Sequence, residues 1–487
     1  MDRSRRESSG ETELLPLAVD LDGTLVATDT LFESVLSLIR QNPWSILMFL
    51  VWLSRGKAVF KSEIARRFTP NAESLPYRGD LVEYLRTERN RRRTIVLATA
   101  AHRTTADSVA ACLGIFDVVL ASTDAVNLKG KLKRDELVRL YGLRGFDYVG
   151  DSMADEPVWT ACRIGHVAGR MRRLPRSVLA GGTQQGEAFS PRRPRLKTWL
   201  REIRVFQWVK NFLVFVPALL NRHWDGEILK ALVIAFLGFS FVASGTYIVN
   251  DAFDLEADRR HPRKSRRPLA SGQISVGSGL SMAVCLLLAG ILPALTVGPQ
   301  LVACLLVYLV LTLLYSSWIK GKPILDVVAL AMLYTLRVYA GGLVSRAYVS
   351  PWLFQFSIFL FLSLAFVKRY SELRRTRRRQ PSEAHGRGYL VQDLRIIGQA
   401  GLGSGLLAGL VLALYVNGAE IEKIYPHRDM LWGICPLFIY WIIRVWLIAH
   451  RGNMNEDPIL FAFRDRVSYI VAFLVVVLML LGLSPNV

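Results

Sequence analysis

Cysteine is scarce in this sequence, with five residues among 487. The five are scattered singly along the chain, at Cys112, Cys162, Cys285, Cys304 and Cys435. This spacing excludes a cysteine zinc site, and an odd, dispersed set favours reduced thiols over a disulfide framework. The first 13 residues are charged and lack the apolar core of a signal peptide, so we expect no secretory leader.

Acidic residues are also in the minority. The sequence has 40 Asp and Glu against 61 Lys and Arg, a formal net charge of +21, yet 52% of its residues are apolar. High apolar content with high charge indicates that the two are segregated, as in a membrane protein with basic cytoplasmic loops. Because the basic residues cluster beside apolar spans, we expect an integral membrane protein and no nucleic-acid partner. The length predicts more than one domain.

Four short stretches in the front half combine apolar runs with polar residues. They are Asp20-Leu21-Asp22-Gly23-Thr24 after the run 14–19, Thr99 after the run 94–98, the lysine-rich stretch 127–133, and Gly150-Asp151-Ser152-Met153-Ala154-Asp155 after the run 146–149. Helical stretches lie between them, and strand–helix alternation predicts a parallel sheet with ligands at the carboxyl ends of its strands. Carboxylates delivered there into a glycine turn fit a phosphate-handling site.

These four stretches, in this order across residues 14–175, resemble the motif set of the haloacid-dehalogenase phosphatase superfamily. The resemblance implies an α/β Rossmann-like domain in which Asp20 is the nucleophile and Asp22 the general acid/base. It also implies that Thr99 holds the transferred phosphoryl group. Lys133 would neutralise charge near the nucleophile, with Lys129 and Lys131 as competing candidates.

The same resemblance implies a magnesium site in the front domain. Its predicted ligands are the carboxylates of Asp20, Asp22, Asp151 and Asp155. A carboxylate can form a phosphoenzyme, and a cation together with Mg²⁺ stabilises the charge on the equatorial oxygens. A degenerate domain that only binds phosphate is the alternative.

Composition predicts the domain boundaries. We expect a disordered tail over 1–13, the phosphatase-like domain over 14–178, a linker over 179–197 and a membrane domain over 198–487. The linker is predicted from its glycines and from a basic, proline-containing stretch. A helical cap is expected over about 30–85. Its apolar run 43–53 is too short to span a bilayer, so it either is buried in the cap or dips into the membrane interface.

About nine apolar spans follow in the second half. They lie near 206–221, 229–249, 276–295, 300–318, 324–344, 352–367, 396–416, 429–448 and 467–484. The loops on the side of the front domain carry most of the Arg and Lys. The positive-inside rule then predicts a multi-pass protein of the bacterial inner membrane whose front domain and basic loops are cytoplasmic.

The second of these spans ends in an acidic stretch. Asn250, Asp254 and Asp258 are four residues apart and Asp251 is three before Asp254, so in a continued helix their oxygens share one face. Carboxylates at a membrane helix end indicate function, and hard oxygen ligands of this kind bind Mg²⁺ together with substrate phosphates. A basic loop, 259–268, follows and suits anions. A solvated helix end followed by positive-inside charge is the alternative.

Further polar residues are predicted on the same side of the membrane. They are Tyr315, Lys320, Asp326 and Arg337, then Lys368 and Arg369, then the stretch 457–466. Arg337 lies well inside an apolar span and needs a partner or a cavity. For Lys368 and Arg464 a snorkelling helix end is the alternative.

The second half, residues 195–487, resembles the UbiA-type intramembrane prenyltransferase superfamily, an all-α membrane bundle. The resemblance rests on the nine spans, on the stretch from Asn250 to Asp258, and on Gln207-Trp208-Val209-Lys210-Asn211 in the first span. In that superfamily two aspartate-rich loops hold Mg²⁺-bound diphosphate, but here the second loop keeps only Asp326. The pattern is similar to the decaprenyl-phosphate phosphoribosyltransferase branch, which shares the YSxxxK…D…R, KRYxEL and DPIxFAxxDR sets.

The branch resemblance implies transfer of 5-phosphoribose from phosphoribosyl pyrophosphate to a polyprenyl phosphate of the decaprenyl type. It implies Mg²⁺ on Asn250, Asp251, Asp254 and Asp258. The predicted substrate-binding residues are Lys210, Asn211, Arg266, Tyr315, Lys320, Asp326, Arg337, Lys368 and Arg369. The fused phosphatase is expected to remove the 5-phosphate and so to give a precursor of activated arabinose. Because the two sites are separate in sequence, we expect them to work independently.

Two other functions stay open at this point. One is a prenyltransferase that alkylates an aromatic acceptor with a polyprenyl diphosphate. The other is a membrane scaffold or transporter with a regulatory, non-catalytic phosphatase-like domain. The sequence leaves open whether the chain forms a homo-oligomer.

Overall fold

The computed structural model describes residues 14–42, 44–189, 194–221, 225–346, 350–379, 388–418, 421, 425–454 and 457–483. The expected tail 1–13 and part of the expected linker, 190–193, lie outside these residues. The chain divides into two compact units, which are described separately. Unit 1 draws on Met1–Glu202 and Ile248–Met282, and unit 2 on Ile203–Tyr247 and Ala283–Val487. The acidic stretch after the second span therefore belongs to unit 1, although the expected boundary at residue 198 assigned it to the membrane domain.

Unit 1 is built on a six-stranded parallel sheet in the order β3-β2-β1-β4-β5-β6. The strands are β1 Leu17–Val19, β2 Ile95–His102, β3 Val118–Ser122, β4 Asp147–Gly150, β5 Ile164–Ala168 and β6 Gln184–Phe189. Every residue of β1 is buried, as expected for a central parallel strand covered on both faces. The strand order reverses beside β1, and ligands bind at such a switch point. The predicted parallel α/β fold is confirmed.

Helices connect these strands. They are α1 Thr30–Gln41, α2 Ser45–Ser54, α3 Lys57–Arg67, α4 Gly79–Asn90, α5 Arg103–Leu113, α6 Lys131–Tyr141, α7 Glu156–Trp159 and α8 Arg176–Ala180. The first three fall in the expected cap. Of the ten residues of α2, Ser45 and Trp52 are buried, while Trp44 and most of the apolar side chains of α2 are exposed. Pro43, the first residue of the predicted run, lies outside the described residues. The structure differs from the buried-helix interpretation, and contact with a membrane interface stays a prediction.

The expected linker contains a strand. β6 pairs in parallel with β5, and its last residue, Phe189, packs beside Tyr84 and His166. The glycines suggested flexibility, but Gly186 is required by packing. A Cβ on it would lie 2.8 Å from the ring of His166 and from Ile164.

Long apolar helices make up most of the rest of the chain. The remaining helices are α9 Leu196–Ile203, a 3₁₀ helix Val205–Phe215, α10 Val216–Asn221, α11 Gly226–Phe253, α12 Leu255–Arg260, α13 Val276–Ala294, α14 Pro299–Ser317, α15 Leu325–Val344, α16 Pro351–Arg379, α17 Leu394–Val416, α18 Ile434–Arg451, α19 Pro458–Ala462 and α20 Arg466–Leu483. Among the described residues, eight helices are long and apolar enough to cross a membrane. The pair Leu196–Ile203 and Val205–Leu220 makes nine if it counts as one broken span. The predicted helical membrane bundle is confirmed.

Candidate active sites

The loop after β1 lies close to the loop after β4 in unit 1. The Asp20 amide donates to the Val149 carbonyl at 3.1 Å. Gly23 has φ +76°, and a Cβ on it would lie 2.3 Å from a carboxylate oxygen of Asp151. Only glycine suits this backbone conformation and this approach. The glycine of the predicted turn thus lets two acidic loops converge.

Three carboxylates meet where these loops converge. One oxygen from each of Asp20, Asp151 and Asp155 lies within 4.8 Å of the others. Lys133 Nζ donates to Asp20 at 2.9 Å and lies 3.4 Å from Asp155. The Tyr148 hydroxyl donates to Asp155 at 2.7 Å. One lysine therefore contacts two of the three carboxylates.

Of the three candidate lysines, Lys133 is the one that the structure buries against the carboxylates, with 3% of its surface exposed. It is the third residue of α6, in the first turn after Gly130. Lys129 and Lys131 are exposed, although Lys129 lines the same cavity. Sequence spacing favoured Lys133, and the geometry is consistent with a charge-neutralising role for it.

The acidic cluster suits a divalent cation. Burial raises the pKa of Asp20 to about 6, against the charge of Lys133 and with a further rise from Asp155. Burial and the charges of Asp155 and Asp20 raise the pKa of Asp151 to about 7. Burial is the first cause of both shifts, and it disfavours the charged carboxylates unless a further cation stabilises them. Oxygen ligands with unbalanced charge fit Mg²⁺.

Asp22 stands apart from this cluster. It is not among the three carboxylates that could share an ion, although it was also predicted as a metal ligand. Its Oδ1 accepts the Thr30 amide, at the first residue of α1, at 2.8 Å. Burial and then the charge of Asp29 raise the pKa of Asp22 to about 7. A carboxyl group with a pKa near neutrality suits proton transfer, the first role predicted for it.

A cavity of about 590 Å³ opens above the cluster, and cations that the sequence reasoning missed line it. Lys61 Nζ donates to the Ala100 carbonyl at 2.6 Å, and Arg78 donates to the carbonyls of Gly23 and Thr24 at 2.8 and 2.9 Å. Both lie in or near the expected cap, where no motif marked them. Thr99 is fully buried and its hydroxyl accepts the Ala101 amide at 3.0 Å, so the next residues, Ala100 to His102, line the cavity instead.

The acidic stretch 250–258 of unit 1 has a different geometry. α11 ends at Phe253 and α12 begins at Leu255, so the predicted continuous helix is broken at Asp254. Hydrogen bonds from the Asp254 amide to the Asn250 carbonyl (3.0 Å) and from the Asp258 amide to the Asp254 carbonyl (2.8 Å) cross the break. The predicted ligands therefore keep helical spacing through a turn that we call the aspartate-rich turn, residues 250–258.

Arginines contact the carboxylates of the aspartate-rich turn. Arg267 Nη1 lies 2.9 Å from Asp251 and 2.5 Å from Asp258, both of which are buried. Arg266, the predicted substrate ligand, is exposed, and its carbonyl accepts from Arg201 at 2.6 Å. The adjacent Arg267, which the prediction passed over, is the residue that joins the two aspartates.

One carboxylate oxygen of the aspartate-rich turn has the properties of a metal ligand. Asp258 Oδ1 is buried without a hydrogen-bond partner, although Lys264 Nζ lies 3.5 Å away. A buried carboxylate oxygen with spare acceptor capacity is a suitable ligand for a hard cation.

In unit 2 a single carboxylate joins two of the predicted cations. Lys210 Nζ lies 2.9 Å and Lys368 Nζ 3.3 Å from Asp457 Oδ2. The Lys210 ammonium also lies 5.8 Å from the centroid of the Tyr334 ring. The predicted residues of the first span, of α16 and of the DPIxFAxxDR set are thus brought together.

Arg337 is buried and its hydrogen bonds go to neutral groups. It donates to the Asn211 side chain at 2.6 Å, to the Tyr308 hydroxyl at 2.8 Å and to the Leu333 carbonyl. Its guanidinium lies 4.7 Å from the centroid of the Tyr308 ring and 5.4 Å from that of Tyr334. These contacts are the partner that an arginine inside an apolar span was predicted to need.

Asp326 is fully buried in an ion pair with Arg369. Its other oxygen accepts the Tyr389 hydroxyl at 2.5 Å. Arg369 also contacts Glu372 at 2.5 Å and the Tyr315 hydroxyl at 2.8 Å. Lys320 is partly buried nearby in the sequence. The lone aspartate of the second loop is therefore engaged by protein groups on both oxygens.

The sequence model of the UbiA prenyltransferase family matches residues 212–465. The chain belongs to this family, and its front unit is a parallel α/β domain. The chain is also 30% identical to the decaprenyl-phosphate phosphoribosyltransferase of Mycolicibacterium smegmatis, over 56% of this chain and 88% of that protein.

Two further similarities concern the front half. The uncharacterized protein y4nM of Sinorhizobium fredii is 35% identical over 95% of this chain and 90% of its own length, so both halves occur together in that protein as well. A haloacid-dehalogenase family hydrolase from Salmonella enterica matches 35% of this chain and 68% of its own, with 16% identity and a TM-score of 0.27.

Proposed function

We propose that this membrane protein transfers 5-phosphoribose from phosphoribosyl pyrophosphate to a polyprenyl phosphate of the decaprenyl type and releases pyrophosphate. The decaprenyl-phosphate phosphoribosyltransferases that the chain resembles support the transfer of phosphoribose to a decaprenyl phosphate, which is what their name states. The second loop carries the lone aspartate Asp326, and this favours phosphoribosyl pyrophosphate as the donor. The second loop of an allylic diphosphate enzyme is expected to carry two or more aspartates for Mg²⁺.

The predicted metal ligands and the predicted basic residues have separate roles in the proposed transfer. Asn250, Asp251, Asp254 and Asp258 would hold Mg²⁺ with the donor, and the metal would stabilise the charge of the departing pyrophosphate. The basic residues Lys210, Arg266, Lys320, Arg337, Lys368 and Arg369 would bind the donor's phosphates. As the bond from ribose C1 to pyrophosphate breaks, an oxygen of the lipid phosphate attacks C1. This oxygen is already anionic, so the step requires no strong general base.

The front unit would then hydrolyse the 5-phosphate of the lipid product. Asp20 attacks phosphorus while Asp22 protonates the leaving sugar oxygen, and water later cleaves the aspartyl phosphate with Asp22 as base. Lys133 faces Asp20 and would balance the charge of the reacting phosphoryl group. Mg²⁺ on the carboxylate cluster would add to that stabilisation. The product, polyprenyl-phosphoryl-ribose, is a precursor of activated arabinose.

Both activities are proposed to face the cytoplasm of a bacterial inner membrane, where phosphorylated sugars occur. The basic loops support this orientation. Tethering the phosphatase to the transferase raises the effective concentration of the second site for the lipid product.

The deciding experiment tests the donor. Purified protein with Mg²⁺ should release pyrophosphate from phosphoribosyl pyrophosphate only when polyprenyl phosphate is present, and mass spectrometry should find the ribosylated lipid. Product from an allylic diphosphate and an aromatic acid, with none from phosphoribosyl pyrophosphate, would establish the aromatic prenyltransferase instead. Turnover of neither donor would support the scaffold or transporter.

A further inference from the structure

Helix α1 of unit 1 contacts the aspartate-rich turn with its carboxyl end, and it contacts Arg259, the residue after that turn, with its first turn. Glu33 forms a two-point ion pair with Arg259, at 2.6 and 2.8 Å. Both side chains are 7% exposed. About two helical turns further along α1, Arg40 Nη1 donates to the Phe253 carbonyl at 2.8 Å and lies 3.0 Å from Asp254. These residues are more than 200 positions apart in the sequence, yet they meet at four charged or polar contacts.

The Arg40 contact falls where α11 needs a partner. The last carbonyls of a helix receive no hydrogen bond from within the helix. The carboxyl end of a helix also carries partial negative charge, which favours a nearby cation. Phe253 is the last residue of α11, and Asp254 is the residue at which the helix breaks. Arg40 therefore binds both the helix end and the carboxylate that follows it.

The Glu33 contact holds the segment after the turn. Arg259 uses its Nη atoms for Glu33 and its Nε for the Ala270 carbonyl, at 3.0 Å. Glu33 also accepts the Thr28 hydroxyl at 2.5 Å. A buried ion pair that loses one partner leaves an uncompensated charge, which is strongly destabilising. The pair and the bond to Ala270 thus constrain the chain that follows Asp258.

A separate contact shows that the same segment is fitted to the α/β part of unit 1. Gly272 has φ +71°, and a Cβ on it would lie 2.7 Å from Cβ of Ala27 and 3.4 Å from Cβ of Pro76. Gly272 and Ser275 also line the cavity that contains Asp20. This close backbone contact does not depend on the ion pairs. It too shows that the segment after the aspartate-rich turn packs against the α/β part of unit 1.

We propose that Glu33 and Arg40, on the phosphatase side of the chain, are positioning residues for the aspartate-rich turn of the transferase. This inference rests on the proposed function, because it assigns Asp254 and its neighbours to the Mg²⁺-bound donor. Arg40 sets the orientation of Asp254 and the end of α11, and Glu33 sets the orientation of Arg259 beside Asp258. The transferase then depends on the folded front unit even when phosphatase chemistry is blocked.

The first test compares kinetic constants for the full-length protein. Arg40→Met should raise the KM for phosphoribosyl pyrophosphate with Mg²⁺ by about tenfold and leave kcat less affected, because donor binding is what the turn organises. Arg40→Lys, which keeps the cation, should recover most of the loss. Arg103→Met is the matched control, since Arg103 forms an exposed pair with Asp107 on α5. Hydrolysis of a soluble phosphate monoester should be unchanged in all three variants.

The second test uses a charge exchange at the buried pair. Glu33→Arg and Arg259→Glu should each reduce transfer, and the double variant should regain a large part of it, because the pair is restored with reversed polarity. A double variant no better than the worse single one would show that the pair does not couple α1 to the turn.

The third test needs no turnover and so separates this inference from the proposed function. In Arg40→Met the amides of Asp254 and Asp258, which bridge the helix break, should exchange with solvent faster than in the wild type and in Arg103→Met. Failure of the wild type to use phosphoribosyl pyrophosphate overturns the proposed function alone. Unchanged exchange at these amides, or an unchanged KM in an active enzyme, overturns the positioning role.

Discussion

The two acidic groups of unit 1 balance their negative charge differently. Asp20, Asp151 and Asp155 face one another, and Lys133 pairs with Asp20 and Asp155. The aspartates of the turn instead contact arginines, with Arg267 joining Asp251 to Asp258 and Arg40 beside Asp254. Both groups supply hard oxygen ligands, but only the first has carboxylates that all come within 4.8 Å of each other.

This difference matters for how each group would bind a metal. A converging cluster with unbalanced charge is organised for a cation before substrate arrives. A group whose carboxylates are held by arginines must exchange some of those contacts when metal and diphosphate bind together. Because arginine also binds phosphate, Arg267 can transfer from carboxylate to diphosphate, whereas Arg40 is proposed to keep its contacts with Asp254 and the end of α11. The comparison predicts a phosphatase site that binds Mg²⁺ alone and a transferase site that binds it with its donor.

Removing the nucleophile is expected to have the largest effect. Asp20→Asn keeps the size of the side chain but cannot form the phosphoenzyme, so phosphatase activity should fall by more than about 1,000-fold. Transfer should continue, and the variant should accumulate the 5-phosphorylated lipid while the wild type yields the ribose lipid. Mass spectrometry separates the two by one phosphate. If wild type and variant leave the same phosphorylated lipid, the front unit does not act on this product.

Removing a metal ligand of the turn should affect the other activity. Asp251→Ala or Asp254→Ala should lower transfer by about 100-fold or more, because the metal contributes several kcal/mol of charge stabilisation. Glu256→Ala is the control, since Glu256 lies in the same turn but pairs with the exposed Arg260. Pyrophosphate release measures the effect. Near-normal turnover in either aspartate variant would contradict the metal assignment.

The single lysine of the phosphatase cluster allows a sharper test of the comparison. Lys133→Met should lower phosphatase activity by about 100-fold, since it removes the only cation that the structure shows within hydrogen-bond distance of Asp20. Lys131→Met, two residues away on an exposed face of α6, should be close to wild type. Hydrolysis of a soluble phosphate monoester under saturating Mg²⁺ is the measurement. Equal losses of activity in the two variants would contradict the assignment of the charge-neutralising role to Lys133, and Lys129 and Lys131 would again be candidates.

The smallest expected effect is a loss of stability of the edge strand β6 at low pH. Burial lowers the pKa of His166 to about 4, with opposing contributions from Asp147 and Arg93. Its Nδ1 accepts the Glu187 amide of β6 at 3.0 Å. The folded pKa lies below the unfolded value, so the unfolded state binds the proton more readily. The stabilisation is therefore complete above about pH 6.5 and is lost as the pH falls towards 4.

Hydrogen exchange can follow this loss. After correction for intrinsic rates, the β6 amides should become less protected between pH 6.5 and pH 4.5, while β1 amides should change little. His166→Gln, which keeps an acceptor but does not titrate, should remove most of the difference. Equal pH dependence in wild type and variant would assign the effect to other groups.

Much of the molecule could be predicted from local patterns. Apolar runs followed by aspartate predicted the carboxyl ends of β1 and β4, because parallel strands bring those ends to one edge. The apolar spans predicted the long helices closely, since about 20 apolar residues are needed to cross a bilayer. The glycines of 181–186 led to the prediction of a flexible linker where the structure has strand β6. A glycine required by close packing cannot be distinguished in the sequence from one in a flexible loop.

The sequence by itself determined the classes of chemistry: carboxylates after a buried strand, oxygen ligands at the end of an apolar span, and basic residues around both. Only the tertiary structure decided which cation meets which carboxylate. Arg267 rather than Arg266 joins Asp251 to Asp258, and Arg40 reaches Phe253 across 213 positions. Such pairs depend on how the backbone folds back on itself, and the spacing of residues along the chain carries no information about contacts of that range.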